Sequence, residues 1–393
     1  MSSKLKGKKI LIGVTSGIAI YKVLDLISKL KKEGCEVQVI MTDEACKFIN
    51  PITFETISDN TVYTDMWVHP GKVLHIDITN DVDLLLVAPA TANTIAKANA
   101  GIADNLLTAS ILASKAPVAF TLAMNTNMLE NPITQRNISS LKDLGYSFIE
   151  SVEGHLACNT FGKGKMADPL DIIDWLEVYF TEKDLIGKRI IVTAGATIAR
   201  MDPVRFITND SSGKTGYHLA NEARKRGAEV TYITGRVTTP DINGVNRINI
   251  KTNEELTQAI EDNFDQADAL IMAVAPVDFA FEETFDKKYK KEDDSKILSL
   301  NMVKTEDILK RFGKKKKDKK IIGFAAETNN VVDNARKKLI SKNVDYVVAN
   351  DVSKEGAGFN YDTNIISIVG REDVKEYEKM PKGDVANIIL DLI

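Results

Sequence analysis

Residues 153–169 read EGHLACNTFGKGKMADP and place one thiol, Cys158, beside three glycines and two lysines. A thiol in such a stretch has three uses: a small buried residue, half of a metal or redox pair, or a lone group used in chemistry. The other cysteines, Cys35 and Cys46, are far away in sequence, and no CxxC occurs. That spacing argues against disulfides and zinc. One glycine before it and two glycines and two lysines after it weigh against burial, so Cys158 reads as a lone chemical thiol on a loop.

Other candidates in the first half lie where apolar runs end. VQVIMT closes in the hydroxyl of Thr42, LLLVAPATAN brings Pro89, Thr91 and Asn93 to a strand end, and FTLAMNTNM delivers Asn125 between two methionines. Neutral amides and hydroxyls at such edges suit a flat, phosphate-bearing cofactor or a substrate carboxylate, although each alone also reads as a helix cap. Gly13 and Gly17 follow the first apolar run in ILIGVTSGIAIYK, a turn that could bring backbone to phosphate but contains no GxGxxG. Of the four histidines, His69, His75, His155 and His218, the one singled out is His75, within an alternating, strand-like PGKVLHIDIT. A histidine in a strand is more often structural, but its titration near neutral pH suits acid–base work.

In the second half, Gly213-Lys214-Thr215 would end a phosphate-binding P-loop, but Thr208 stands where the motif needs its first glycine. The excursion carrying Asp202, Arg205, Asn209 and Lys214 reads instead as a substrate-binding loop. MAVAPVDF brings Pro276 and Asp278 to a strand end, with Lys288 following in KKYKK. A carboxylate with lysines on neighbouring segments meets the needs of a Mg²⁺–nucleoside triphosphate. KRFGKKKKDKK (310–320) reads as a solvated charged loop.

The elements that must position these residues repeat. GKKILIGVTSG at 7–17 is echoed by GKRIIVTAGAT at 187–197, KKEGCEVQVIMT at 31–42 by RKRGAEVTYITG at 224–235, and DVDLLLVAPATAN at 81–93 by QADALIMAVAPVDF at 266–279. Apolar strands alternating with helical patterns predict parallel sheets covered on both faces. The expected fold class is therefore α/β, with two doubly wound, Rossmann-like domains in tandem, over 1–183 and 187–393. Ligands are expected at the C-terminal ends of the strands, and a helix from Pro169 to Phe180 closes the first domain.

At 393 residues, two domains are the natural expectation. A composition 44% hydrophobic and 27% charged is that of a globular protein, and a net charge of −4 offers no basis for nucleic-acid binding. The N-terminal stretch lacks a secretory h-region, and no apolar run is long enough to span a bilayer. With sparse, unpaired cysteines, this predicts a cytoplasmic protein that binds neither membrane nor nucleic acid.

SGIAIYK, HIDIT, PATANT, GIADNLLT, AMNTNM and GHLACNTFGKGKM, in this order, resemble the homo-oligomeric flavin-containing cysteine decarboxylases. The second half narrows the resemblance to the bifunctional family in which a flavodoxin-like phosphopantothenoylcysteine decarboxylase is fused to a phosphopantothenate–cysteine ligase. The resemblance covers essentially the whole chain. It implies FMN held by Ser16, Gly17, Ile18, Thr42, Ala90, Thr91 and Asn93. His75 would act in oxidative decarboxylation, Asn125 would hold the substrate carboxylate, and Cys158 would return a proton from a closing flap. The family more often has Pro at Leu122, Gly at Asn159 and Arg at Lys165.

For the second half the resemblance implies that CTP converts 4′-phosphopantothenate into an acyl-cytidylate, from which cysteine displaces CMP. Asp278, Lys288, Thr305, Glu306, Asp307, Ile308, Phe324, Lys338 and Lys342 would bind CTP, with Asp278 also meeting Mg²⁺. Arg205, Asn209 and Ala275 would hold the acyl substrate, Asn209 and Lys288 being catalytic. KKYKK then corresponds to the family's Lys-x-Lys-Lys. Ala196, Ala199, Asp210 and Thr215 depart from the usual Gly, Glu, His and Met. Assembly into a dodecamer of decarboxylase trimers, with dimeric ligase domains, is also implied. Two alternatives fit less well. A two-domain NAD(P)-dependent reductase lacks its GxGxxG and following acidic residue, and a non-catalytic regulatory flavoprotein would typically have lost His75 or Cys158.

Overall fold

The computed structural model describes residues 4–67, 73–155, 161–290, 299–351, 353–354, 356–358 and 360–393. The chain divides into two compact units, Ser2–Phe180 and Thr181–Ile393.

In chain order the first unit runs β1 (Lys9–Val14), α1 (Ile20–Lys32), β2 (Glu36–Met41), α2 (Asp43–Cys46), α3 (Pro51–Ser58), β3 (Val62–Tyr63), α4 (Leu74–Asp77) and β4 (Leu84–Ala90). It continues through α5 (Ala92–Ala100), α6 (Leu106–Ala113), β5 (Val118–Leu122), α7 (Thr126–Glu130), α8 (Pro132–Asp143), β6 (Ser147–Ile149), β7 (Val152–His155), β8 (Phe161–Lys165) and α9 (Pro169–Phe180). Six strands form a parallel sheet in the order β3-β2-β1-β4-β5-β6, and β7 and β8 make a separate antiparallel pair. Strand residues alternate between two cores: Ile10, Ile12 and Val14 enter one, Leu11 the other. That explains the unbroken apolar runs, since both sheet faces are covered.

The strand expected around His75 is instead the single helical turn α4. Leu74 and Ile78 are buried four residues apart, while Ile76 and Asp77 are exposed, and the Thr79 hydroxyl donates to the His75 and Ile76 carbonyls at 3.0 Å. A burial spacing of four overrides the alternation read from the sequence.

The second unit contains β9 (Arg189–Ala194), β10 (Ile198–Arg200), β11 (Phe206–Thr208), α10 (Lys214–Lys225), β12 (Glu229–Thr234), β13 (Asn246–Asn249), α11 (Asn253–Phe264), β14 (Ala269–Met272), β15 (Phe279–Phe281) and β16 (Met302–Lys304). After these come α12 (Ile308–Lys315), β17 (Lys320–Glu327), α13 (Val331–Lys342), β18 (Tyr346–Asp351), β19 (Thr363–Val369), β20 (Val374–Pro381) and α14 (Lys382–Leu390). Its main sheet is ordered β13-β12-β9-β14-β17-β18-β19-β20. The first six strands of that order are parallel, and β19 and β20 extend them antiparallel. Both units thus wind their parallel strands in one order, and the doubly wound α/β expectation holds in each.

The charged loop expected over 310–320 is helical up to Lys315. Ile308, Leu309 and Phe312 form a buried stripe, while Arg311 and Lys315 reach Glu261 on α11. Helical spacing of three apolar residues outweighs the charge run.

Candidate active sites

In the first unit, a hollow of about 530 Å³ opens at the C-terminal ends of β1, β4 and β5. Ser16, Gly17, Ile18 and Ala19 line it from the turn after β1, Pro89 and Thr91 from the end of β4, and Ala123, Met124, Asn125 and Met128 from the region after β5. The β7–β8 pair contributes His155, Gly164 and Lys165. Gly164 is there for space as well as conformation: its φ is +126°, and a Cβ would stand 2.0 Å from the Met124 carbonyl oxygen. The Met124 N–H donates to the Gly164 carbonyl at 3.0 Å, fastening the hairpin to the rim.

A smaller polar hollow shares Ser16 and Thr91 with the first and adds the neutral Thr42, Asn93, Thr94, Asn105 and Thr108, together with the charged Asp43, Glu44, Asp104 and Lys97. It lies by the N-termini of α5 and α6, capped by Thr91 and Asn105, where backbone N–H groups favour anions. An apolar hollow joined to a hydroxyl-rich, helix-capped one is what a ring system with a phosphate tail needs. The capping alternative also holds: Thr42, Thr91 and Asn125 accept from Ala45, Thr94 and Asn127 N–H at 3.2, 3.3 and 2.9 Å. Here the caps and the site are the same residues.

The second unit has a cleft of about 550 Å³ beyond β14 and β17. Asn209, Ala275 and Asp278 line it, with Thr305, Glu306, Asp307 and Ile308 leading into α12, and Phe324, Lys338 and Lys342 from β17 and α13. Asn209 Nδ2 donates to the Pro276 carbonyl at 2.9 Å, and the Thr305 hydroxyl to the Val277 carbonyl at 2.7 Å. Asp307 caps α12 through Lys310 N–H at 3.0 Å and pairs with Lys342 at 3.0 Å. Burial opposes ionisation of Asp307, but that N–H and the lysine charges outweigh it and hold the carboxyl below its usual range. Lys338 donates to the Phe324 carbonyl; burial first, and then the charge of Lys342, lower its pKa. Strand β14 stops at Met272, so Pro276 and Asp278 belong to the segment beyond the strand. Among the described residues, no three His, Cys, Asp or Glu side chains cluster to hold a metal.

Several sequence candidates stand apart from these linings. His75 on α4 lines neither hollow of its own unit, and Ala90 is fully buried at the end of β4. Arg205 and Lys288 do not line the second unit's cleft. Arg205 Nη1 donates to Asp202 Oδ2 at 3.0 Å and to the Tyr289 carbonyl at 3.2 Å, beside Lys288. Lys214 begins α10 and pairs with Asp362 at 2.6 Å, the β10–β11 hairpin separating it from β9. Cys158 and Asn159, like His69, lie outside the described residues.

Sequence reading missed Lys22, His155 and Met166 in the first hollow and Lys304 in the cleft. Lys22 carried a signal: it heads a helical row with Leu26 and Leu30, which a lysine joins only with a partner. Its Nζ donates to the Met166 carbonyl at 2.9 Å and Asp168 Oδ1 at 2.6 Å.

Residues 1–180 match the family model "Flavoprotein", and residues 185–393 match "DNA/pantothenate metabolism flavoprotein C-terminal domain". The coenzyme A biosynthesis bifunctional protein CoaBC of Bacillus subtilis (strain 168) is 44% identical over 396 residues, covering 99% of this chain and 97% of that protein. A cysteine/cysteine sulfinic acid decarboxylase from an unknown prokaryotic organism is 42% identical, covering 87% of this chain and 98% of its own. Among solved structures, the C-terminal domain of a coenzyme A biosynthesis bifunctional protein CoaBC superposes with a TM-score of 0.46 at 33% identity, over 54% of this chain and 96% of that one. Matches to both domain models, with this degree of identity over nearly the full length, place the chain in the family of bifunctional coenzyme A biosynthesis enzymes, which join a flavoprotein decarboxylase to a ligase.

Proposed function

We propose that the second unit joins cysteine to 4′-phosphopantothenate at the expense of CTP, and that the first decarboxylates the resulting 4′-phosphopantothenoylcysteine to 4′-phosphopantetheine using FMN. The observation that carries this reading is the cleft itself: ten residues expected to meet the nucleotide and acyl groups, from Asn209 to Lys342, line one space. Lys338 and Lys342 neutralise phosphate charge there. Asp278 meets the Mg²⁺ that travels with the nucleotide, an ion that needs only one or two carboxylates when phosphates complete its shell. Asn209, held against the 275–276 carbonyls, orients the acyl carboxylate, and Arg205 and Lys288 stabilise its activated form.

In the first unit the apolar hollow fits the flavin ring, and the Ser16, Thr42 and Thr91 hydroxyls by the α5 N-terminus fit its phosphate. When bound, FMN accepts a hydride equivalent from the substrate and returns it. Asn125 holds the substrate carboxylate, His75 serves oxidative decarboxylation, and Cys158 donates the final proton. The hairpin carrying Gly164 covers the substrate. The roles of His75, Cys158, Arg205 and Lys288 rest on the sequence resemblance. Homo-oligomeric assembly, with decarboxylase trimers grouped as a dodecamer and ligase units as dimers, belongs to the same proposal.

The test supplies the half-reactions separately. Phosphopantothenate, cysteine and Mg-CTP should yield CMP and pyrophosphate, and supplied phosphopantothenoylcysteine should yield CO₂ and phosphopantetheine. Free cysteine and cysteine sulfinic acid are the comparison substrates. CO₂ from those two, with none from phosphopantothenoylcysteine, would overturn the decarboxylase assignment; failure to form CMP would overturn the ligase assignment.

A further inference from the structure

Asp202 is absent from the cleft lining, yet its carboxylate is among the most heavily engaged in the second unit. Its side chain is fully buried. Oδ1 accepts from Val204 N–H and Arg205 N–H, both at 2.7 Å, closing the turn between β10 and β11. Oδ2 faces the other way and accepts from Arg205 Nη1 at 3.0 Å and from Tyr289 N–H at 3.1 Å. The same guanidinium nitrogen reaches the Tyr289 carbonyl at 3.2 Å, so both polar backbone groups of Tyr289 are tied to this pair. Phe285 N–H donates to the Met201 carbonyl at 2.9 Å, and the Phe285 and Tyr289 rings meet at 5.0 Å. The segment from 285 to 289 is therefore moored at both ends to one turn, with Lys288 next to the mooring. Burial works against the charge, but the three N–H donors and Arg205 prevail, and the carboxyl is held below its usual range.

We propose that Asp202 is a positioning residue of the ligase reaction: by clamping Arg205 and the backbone beside Lys288 to one buried carboxylate, it presents the two cations to the reacting anion as a single unit. This rests on the ligase assignment above. A carboxylate needed only to close the β10–β11 turn would use Oδ1 alone. Here the second oxygen is given to a segment 87 residues away in sequence. Displacing a catalytic group by about 1 Å can cost 10²-fold in rate, so the clamp's effect belongs in turnover.

The test uses the full-length protein, and wild-type CMP formation is measured first, because its absence defeats the ligase assignment whatever Asp202 does. Asp202→Asn retains an oxygen for the turn but turns an NH₂ toward two donors. It is expected to lower kcat for CMP formation about 10- to 100-fold, with KM for CTP within about twofold and decarboxylation unchanged. Trypsin should cut faster after Lys287, Lys288 or Lys290, because the mooring is lost. Should the asparagine variant not fold, Tyr289→Pro removes the N–H that reaches Oδ2 while leaving the carboxylate and its turn, and should give the same kcat loss, with faster tryptic cleavage read after Lys287 and Lys290 only, because trypsin does not cut a Lys–Pro bond. The proposal is overturned if a folded variant keeps wild-type kcat, if the loss falls on KM for CTP, or if tryptic cleavage of the segment is unchanged.

Discussion

The two units wind six parallel strands in the same order, yet place their sites one strand apart. In the flavoprotein unit the hollow straddles the ends of β1, β4 and β5, at the crevice where strand order reverses. In the ligase unit the equivalent crevice, between β9 and β14, is closed by the chain itself. Ala196 bridges Ala275, Ala275 N–H donates to the Gly195 carbonyl at 2.8 Å, and the Thr197 hydroxyl accepts from Val277 N–H at 2.9 Å. Ligand space then moves outward to β14 and β17. The linings differ in kind as well. Asp210, Asp278, Glu306 and Asp307 share the second unit's cleft with Lys304, Lys338 and Lys342, whereas the apolar hollow of the flavoprotein unit has no carboxylate in its lining, Asp43, Glu44 and Asp104 standing in the adjoining polar hollow. A common strand order therefore fixes which end of the sheet carries the hollows, while the segment leaving each strand decides each hollow's position and the charge of its lining.

The largest effect that could break this separation is expected from Lys288→Gln. If Lys288 stabilises charge only in the activated acyl group, CMP formation should fall roughly 10²- to 10³-fold, with CO₂ release from supplied phosphopantothenoylcysteine unaffected. Loss of both activities would undermine two independent sites. Gly164→Ala probes the other side. Its methyl would strike the Met124 carbonyl and sit at a φ of +126°, moving the β7–β8 pair off the rim. Decarboxylation should drop about 10²-fold while CMP formation stays at wild type; an active alanine variant would show that hairpin contact is unnecessary.

A third prediction concerns charge in the ligase cleft. Burial and Lys342 lower the pKa of Lys338, so its positive charge is lost, as pH rises, before that of an ordinary lysine. KM for CTP should accordingly climb on the alkaline side. Lys338→Met should raise KM about 10-fold at neutral pH, the worth of one charge-assisted hydrogen bond, and flatten that climb. A climb that persists in the methionine variant would assign it to another group.

Legibility in the sequence tracks contact range. Apolar runs revealed both doubly wound sheets, and PLDIIDWLEVYF revealed α9 from Pro169 to Phe180, because these signals are local. Cap-forming residues at strand ends gave Thr42, Thr91 and Asn125, since a cap is written within three residues. His75 was misplaced in a strand because a single turn is too short for four-residue spacing to stand out from alternation. The closure of the ligase crevice through Ala196 and Ala275, and the Asp202 clamp on Tyr289, leave no periodic trace, being made between segments about 80 residues apart.

The smallest effect is expected at Lys22, which ties α1 to the stretch after β8. Its buried Nζ donates to Asp168 at 2.6 Å, and this bond, opposed by burial and aided by the charges of Lys22 and Lys165, holds the Asp168 carboxyl below its usual range. The Asp168 side chain is 64% exposed, so solvent screens the pair, and Asp168→Asn should cost at most about 1 kcal/mol. For a unit of this size that is a fall in Tm of about 2–4 °C. The sign with pH comes from the depressed carboxyl. Its contribution is complete above the unfolded value, about 3.9, and disappears as pH falls through the lower folded value, where folded and unfolded chains bind the same proton. Thermal unfolding of wild type and Asp168→Asn from pH 7 downward should therefore show two curves that converge in acid. A gap that stays constant to the lowest pH would mean that Asp168 acts by packing and not by charge, and that the Met166 carbonyl, which Lys22 also reaches at 2.9 Å, is the contact fastening the flavoprotein hairpin to α1.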